Sequence, residues 1–302
     1  PYLTILGTGK SNKDVVLTYD DYALAPMADI GKLGTFRSYS VFIDTHDVTL
    51  QNLTIENASG DSLTHGQAIA LYADGDRLVI DSCRLIGRQD TLFTGPLPPK
   101  EIEPDGFIGP KQFAPRINGR QYYKNCYICG DIDFIFGSAT AYFENCVIES
   151  LCHTTNVNDI QGYITAASTP ESQEYGYVFS NCKLISKDCP PNSVYLGRPW
   201  RNYAKTAFLE CALGNHIHEC GFHDWKKEDA RNTVLYAEYR NYPASSADTT
   251  SNNRSLNDDI HCIDGRCIPY PHRAEYVCEL DAVQAEHFSK ENVLSGADHW
   301  NP

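Results

Sequence analysis

No apolar run in the 302-residue chain approaches the roughly 18 residues that a membrane-spanning helix needs, so no such helix is expected. Basic residues are scarce. Lys and Arg number 25 against 39 Asp and Glu, a formal net charge of −14. A duplex nucleic-acid binder needs a basic face, and this balance argues against one. It also disfavours a fully ionised polyanion as ligand, so an acidic polymer bound here is expected to be partly neutralised. Two hydrolase signatures are missing: G-x-S-x-G, the serine-esterase elbow, and H-E-x-x-H, the zincin helix. The 12 cysteines are about 4% of the chain, below the density of a disulfide scaffold. No signal peptide is visible. The chain opens at Pro1-Tyr2-Leu3-Thr4-Ile5-Leu6-Gly7, which already reads as a strand, and preceding sequence is expected to be missing.

What is present is a repeat. Val48–Asn57, Leu78–Gly87, Gln121–Gly130, Ala141–Ser150 and Tyr177–Ser186 share one pattern, with a shorter match at Ala207–Ala212. Each is a β-rich run, then a small or polar residue, then Leu or Cys, then more apolar strand residues. The aligned positions are Leu53, Cys83, Cys126, Cys146, Cys182 and Cys211, and the closest two are 20 residues apart (146 − 126). About 20 residues suit one coil of a parallel β-helix, whose coils bury their apolar edges against one another. The aligned cysteines then form an interior column of small hydrophobes, and Asn52, Asn125, Asn145 and Asn181 before them suggest an amide ladder at a turn. The expected architecture is all-β. It is one domain over 1–302, with coils over about 1–215 and an appendage over about 216–302. The appendage holds a mobile loop at about 243–259 and a short helix within Leu280–Phe288. Thr94–Gly119, rich in Pro and Gly, is expected to overhang one side.

The repeat register places the chemistry. Asp90 lies seven residues after Cys83, and Asp133 seven after Cys126. The two carboxylates should therefore stand on neighbouring coils, about one strand spacing of ~4.8 Å apart. Two like charges that close disfavour double ionisation, and split pKa values are what acid–base or nucleophilic chemistry needs. A calcium site or two solvated aspartates is the alternative on spacing alone. Nearby motifs are Gln67-Ala68-Ile69-Ala70-Leu71, Gln89-Asp90-Thr91-Leu92, Asp133-Phe134-Ile135-Phe136-Gly137 and Leu196-Gly197-Arg198-Pro199-Trp200.

With these four motifs, in this order, the chain resembles the pectin methylesterases, or pectinesterases. The resemblance runs from Pro1 to about Tyr239, and Trp300 looks like the family's terminal Trp. It implies a right-handed parallel β-helix whose first coil is absent here. It implies a carboxylic ester hydrolase that releases methanol from methyl-esterified galacturonate. Position by position, Asp133 matches the nucleophile and Asp90 the general acid and then base. Gln89 and Gln67 match the oxyanion-stabilising glutamines, Arg198 the residue bonded to the nucleophile, and Trp200 a sugar-contacting aromatic. Cys126 and Cys146 match a pair that is disulfide-bonded in some members. The resemblance implies no metal or other cofactor. The partner is methyl-esterified homogalacturonan or its oligomers, bound by a monomer that is secreted or at a cell surface, with a cytoplasmic setting as the alternative. Thr94–Gly119 is longer than in plant members, and Leu256–Cys278 has no counterpart.

Phe134 and Phe93 offer further flat faces for sugar rings, with core or cleft wall as the plainer role. Asp131 shares strand parity with Asp133, and a solvated or turn position is expected for it. Cys126 and Cys129 have odd spacing that puts them on opposite strand faces, against a metal or redox pair. His216, His218 and Cys220 share parity but lack a fourth zinc ligand. Two other functions fit a β-helix: a polysaccharide lyase, with Asp-bound calcium and Arg198 as base, and a non-catalytic glycan-binding module.

Overall fold

The computed structural model describes residues 2–28, 31–244 and 272–302. Short strands alternate between buried and part-exposed residues, as in Val48–Gln51 and Leu78–Asp81, so each can cover only one side of a core. Stacking supplies the rest. Three parallel sheets of nine, eight and six strands run along the molecule, built up strand by strand as successive coils stack. The six-stranded sheet is Val41–Ile43, Leu71–Ala73, Leu92–Thr94, Ile132–Gly137, Gly162–Ala167 and Val194–Gly197. This is the expected parallel β-helix.

The interior repeats from coil to coil. Tyr123, Phe143, Phe179 and Phe208 stack face to face at 4.6, 4.4 and 4.5 Å. The cysteine column lies beside them, buried to 1% exposure or less. Cys126, Cys146, Cys182 and Cys211 each donate to a carbonyl of the preceding coil, at Ile80, Tyr123, Phe143 and Phe179. The corner before each column residue is left-handed, with φ between 53° and 55° at Asn52, Ser82, Asn125, Asn145, Asn181 and Glu210. Asn tolerates that conformation better than most residues. The four asparagine amides do not bond to one another: Asn52 donates to Gly7 and Gly9, Asn125 to Asp81, and Asn181 to Ser180. A shared backbone conformation, and not an amide ladder, explains the aligned Asn.

Cys126 and Cys146 are free thiols in the interior, not joined in the disulfide that the resemblance left open for them. In-register stacking points both side chains inward, and each sulfur bonds carbonyls of its own and the preceding coil. A disulfide needs the Cβ vectors turned toward each other.

The coils continue past residue 215. Lys205–Leu209 pairs with Leu235–Tyr239, and that strand with Val277–Glu279. Asn241 takes the column's next place, accepting from the Cys211 amide at 2.9 Å and donating to Glu238 at 2.9 Å. Helical spacing in Leu280–Phe288 becomes a helix at Ala282–Glu286, started by an Asp281/Gln284 capping box, with a second at Lys290–Leu294. Val293 and Leu294 pack on the outer face of the nine-stranded sheet with Tyr122 and Tyr142, and Trp300 joins them. The loop expected at about 243–259 and most of Leu256–Cys278 lie outside the described residues.

Candidate active site

Leu92 pairs with Ile135, and Asp90 and Asp133 each lie two residues before those partners. The Asp90 amide donates to Ile132 O at 3.0 Å, which fixes the two carboxyl-bearing residues on adjacent coils. Both have left-handed backbones, φ 66° and 50°. The bulge between Ile132 and Ile135 changes which side chains face in. Phe134 and Ile135 both enter the interior core, while Phe136 packs outside it. Asp133 and Phe136 therefore line an external cavity of about 610 Å³.

That cavity gathers Asp133, Asp90, Gln89, Gln67, Arg198 and Trp200. The Arg198 guanidinium grips Asp133 with both ends of its fork, Nε to Oδ1 at 2.8 Å and Nη2 to Oδ2 at 2.7 Å. It is sandwiched between the rings of Tyr163 and Trp225, 3.8 and 3.7 Å from their centroids. Such cation–π contacts add about 0.5–2 kcal/mol each and hold the fork in one plane. Asp90 and Asp133 are each 7% exposed. Burial pushes the Asp90 carboxyl well above the usual carboxylate range, and the Asp133 charge pushes it further. Burial raises Asp133 too, but Arg198 pulls it back. Of the pair, Asp90 is the carboxyl whose surroundings favour the protonated form more, because no cation clamps it. Gln89 and Gln67 stand one rung apart, since the Ala68 amide donates to Gln89 O at 3.0 Å. Neither carboxamide is hydrogen-bonded to another described residue, so their N–H groups remain available in the cavity.

Phe93 and Phe134 are not at the surface of this cavity. Both are fully buried, Phe134 in the interior core and Phe93 among Phe36, Tyr72 and Phe136 beneath it. They cannot touch a sugar. The aromatic groups that do line the cavity are Phe36, Phe107, Phe136, Trp200 and Trp225. Phe136 was legible only to a reader who knew of the bulge. Trp225 and Lys227 lie beyond the recognised motifs. Lys227 donates to Pro199 O at 2.6 Å and Trp200 O at 3.1 Å, and burial with Arg201 and Arg198 nearby lowers its pKa to about 8.

Asp131 is not solvated: it is wholly buried. It accepts from Ser62 Oγ at 2.6 Å and from the Ile132 amide at 2.7 Å, and pairs with Arg88 at 3.1 Å and His153 at 3.4 Å. This knot ties the turn that precedes Gln67 to the coil that carries Asp133. Cys126 lies in the interior core while Cys129 does not, as their odd spacing requires. His216 is buried and held neutral, its pKa lowered by burial to about 4. Among the described residues no group of three or more His, Cys, Asp or Glu is placed to hold a metal ion.

A sequence model of the Pectinesterase family matches residues 3–96 and 116–258. The chain belongs to the pectinesterase family. Pectinesterase 31 of Arabidopsis thaliana is 34% identical over 229 residues, covering 75% of this chain and 62% of its own length. A second Arabidopsis pectinesterase, QRT1, is 31% identical over 79% of this chain and 55% of its own. The chain thus spans less than two thirds of the curated pectinesterases it matches. Pectin methylesterase PemA from Erwinia chrysanthemi superposes with a TM-score of 0.67 at 27% identity, over 100% of this chain and 86% of that one. The pectinesterase match omits residues 97–115. That unmatched segment supplies Ile102, Glu103, Gly106 and Phe107 to the cavity wall.

Proposed function

We propose that the chain is a pectin methylesterase that hydrolyses methyl esters of galacturonate, releasing methanol and leaving the free carboxylate on the polymer. The observation that carries this reading is the pairing of an Arg-clamped Asp133 with a buried, unclamped Asp90, beside two unspent carboxamides in one cavity. A carboxylate is a weak nucleophile and must be ionised and aimed. Arg198 does both through its two charge-assisted bonds. Asp133 attacks the ester carbonyl carbon, and the developing oxyanion accepts from the Gln67 and Gln89 amides. Losing one such donor typically costs about 10²–10³ in rate. Methoxide is a poor leaving group and departs with the Asp90 proton. Asp90, now ionised, takes a proton from water as that water attacks the acyl–Asp133 anhydride, which frees the acid and restores both carboxyls.

A solved pectin methylesterase in complex with a hexasaccharide, 26% identical with a TM-score of 0.68, supports an oligogalacturonide as the ligand. All the groups named come from one chain, so a monomer suffices. The substrate is a cell-wall polymer, so the setting proposed is outside the cell or at its surface. The lyase reading asks Arg198 to accept a proton, yet its fork is committed to Asp133. Replacing Asp133 with Asn tests the assignment. Methanol release from methylated pectin should fall to background while circular dichroism stays unchanged, and retained turnover overturns the nucleophile.

A further inference from the structure

Residues 97–115 lie outside the pectinesterase match, yet they are built firmly into this cavity. Four anchors hold the segment. Phe107 is buried against Phe36 and Trp200, with ring centroids 5.7 and 6.2 Å away. Gly109 sits so close to Phe36 that a side chain there would meet its carbonyl oxygen at 2.7 Å. Arg201 donates to Lys100 O at 2.9 Å. Arg116 spans the base, bonding the carbonyls of Pro98, Lys111, Gln112 and Ala114. What these anchors present is the tip. Ile102 is 63% exposed, lines the cavity and contacts no core. Glu103 is exposed beside it, and its carboxylate has no hydrogen-bond or ion-pair partner among the described residues. A rigid segment that offers an unpacked aliphatic and an unpaired acid to a cleft is placed to contact a ligand.

We propose that Ile102 and Glu103 are specificity-determining residues that select methyl-esterified over free galacturonate next to the sugar being de-esterified. This rests on the esterase reading above. Ile102 gives the ester methyl and the sugar's apolar face a surface to cover. Glu103 repels a neighbouring carboxylate, and a neutral ester escapes that repulsion. The cations of the same cleft oppose it only in part. Arg201 and Lys227 spend N–H groups on backbone carbonyls, and Arg198 is paired with Asp133.

The test uses the whole chain and two sets of oligogalacturonides of equal length, one highly and one sparsely methylated. The readout is the ratio of kcat/KM for methanol release between the sets. Wild type should favour the highly methylated set. Glu103→Gln should lower that preference about threefold at low ionic strength, the size of an exposed charge interaction. The difference should vanish in about 1 M salt, where the screening length is about 3 Å. Ile102→Ala should lower kcat/KM on the highly methylated set about fivefold, for partial loss of apolar cover. Both residues are exposed, so folding is not at stake, and thermal melts check this. Methanol release with a ratio unchanged in both variants overturns this proposal alone. No methanol release from any oligomer overturns the esterase reading, and this one with it.

Discussion

Consider Arg198→Ala. The substitution removes two charge-assisted hydrogen bonds, at 2.8 and 2.7 Å, from an Asp133 side chain that is only 11% exposed. If Asp133 stayed ionised, breaking a buried pair on one side would cost about 3–5 kcal/mol. The protein has a cheaper course: Asp133 takes up a proton. Burial already raises its pKa, and Arg198 is the largest influence opposing that rise. At neutral pH the variant should therefore hold a protonated, non-nucleophilic Asp133. Each unit of pKa rise past the working pH lowers the ionised fraction tenfold. Adding the lost aim of the fork, kcat should fall by about 10³ or more. The sign in pH is definite. Wild-type activity needs Asp133 ionised, so its acid limb marks protonation of that group. In Arg198→Ala that limb must move to higher pH, and residual activity should climb with pH where wild type is already flat. Initial rates of methanol release across pH, with thermal melts of both proteins, measure this. An Arg198→Ala enzyme with the wild-type acid limb would refute the claim that Arg198 keeps Asp133 charged.

Asp90 is raised further in pKa than Asp133. Its folded-state pKa lies above the unfolded value, so the stability it contributes is full at low pH and is lost as pH rises through the folded pKa. Asp90→Asn should accordingly melt higher than wild type at alkaline pH, and the gain should disappear in acid; no pH-dependent gain would contradict the burial argument. Phe134→Ala should lower stability by about 3–5 kcal/mol through a core cavity, leaving KM for methylated oligomers unchanged in the folded fraction, while Phe136→Ala should raise KM; melts and steady-state kinetics separate the two. Reductant should leave the melting temperature unchanged, and peptide mapping after alkylation in denaturant, without prior reduction, should find both Cys126 and Cys146 labelled. Recovery of a peptide pair joined through them would refute the free-thiol interior.

The column of cysteines and the shared register of Asp90 and Asp133 were legible because a stacked coil repeats its inward positions. One residue type recurring at one position is a packing constraint read directly off the chain. The face of Phe134 was not legible for the same physical reason that makes the site, whereas Phe93 keeps the outward parity of its strand and is covered there by Phe36, Tyr72 and Phe136. Two consecutive interior residues, Phe134 and Ile135, break strand alternation, and the left-handed Asp133 before them allows it. Parity counting through such a bulge assigns the wrong face. The later coils escaped notice because Arg240 and Asn241 stand where earlier coils carry Asn and Cys, although Arg240 keeps the left-handed corner at φ 48°. Asp131 looked like surface because nothing in its own strand shows that Ser62, Arg88 and His153 converge on it from three other segments. Trp225 reaches Arg198 from beyond the last six-stranded-sheet strand, a contact that only the three-dimensional path creates.

Because the two acids stand on adjoining storeys of the solenoid, the distance between them is set by a single floor of masonry. Adding or removing a whole storey elsewhere would leave the pair facing each other, whereas one extra storey between residues 90 and 133 would part them by a full rung and silence the chemistry without unfolding the tower. Lengthening the chain between Thr94 and Gly119 without adding a rung is a different matter, since that stretch hangs outside the stack. Evolution is thus free to remodel the rim of the cleft there while the reactive floor stays in register.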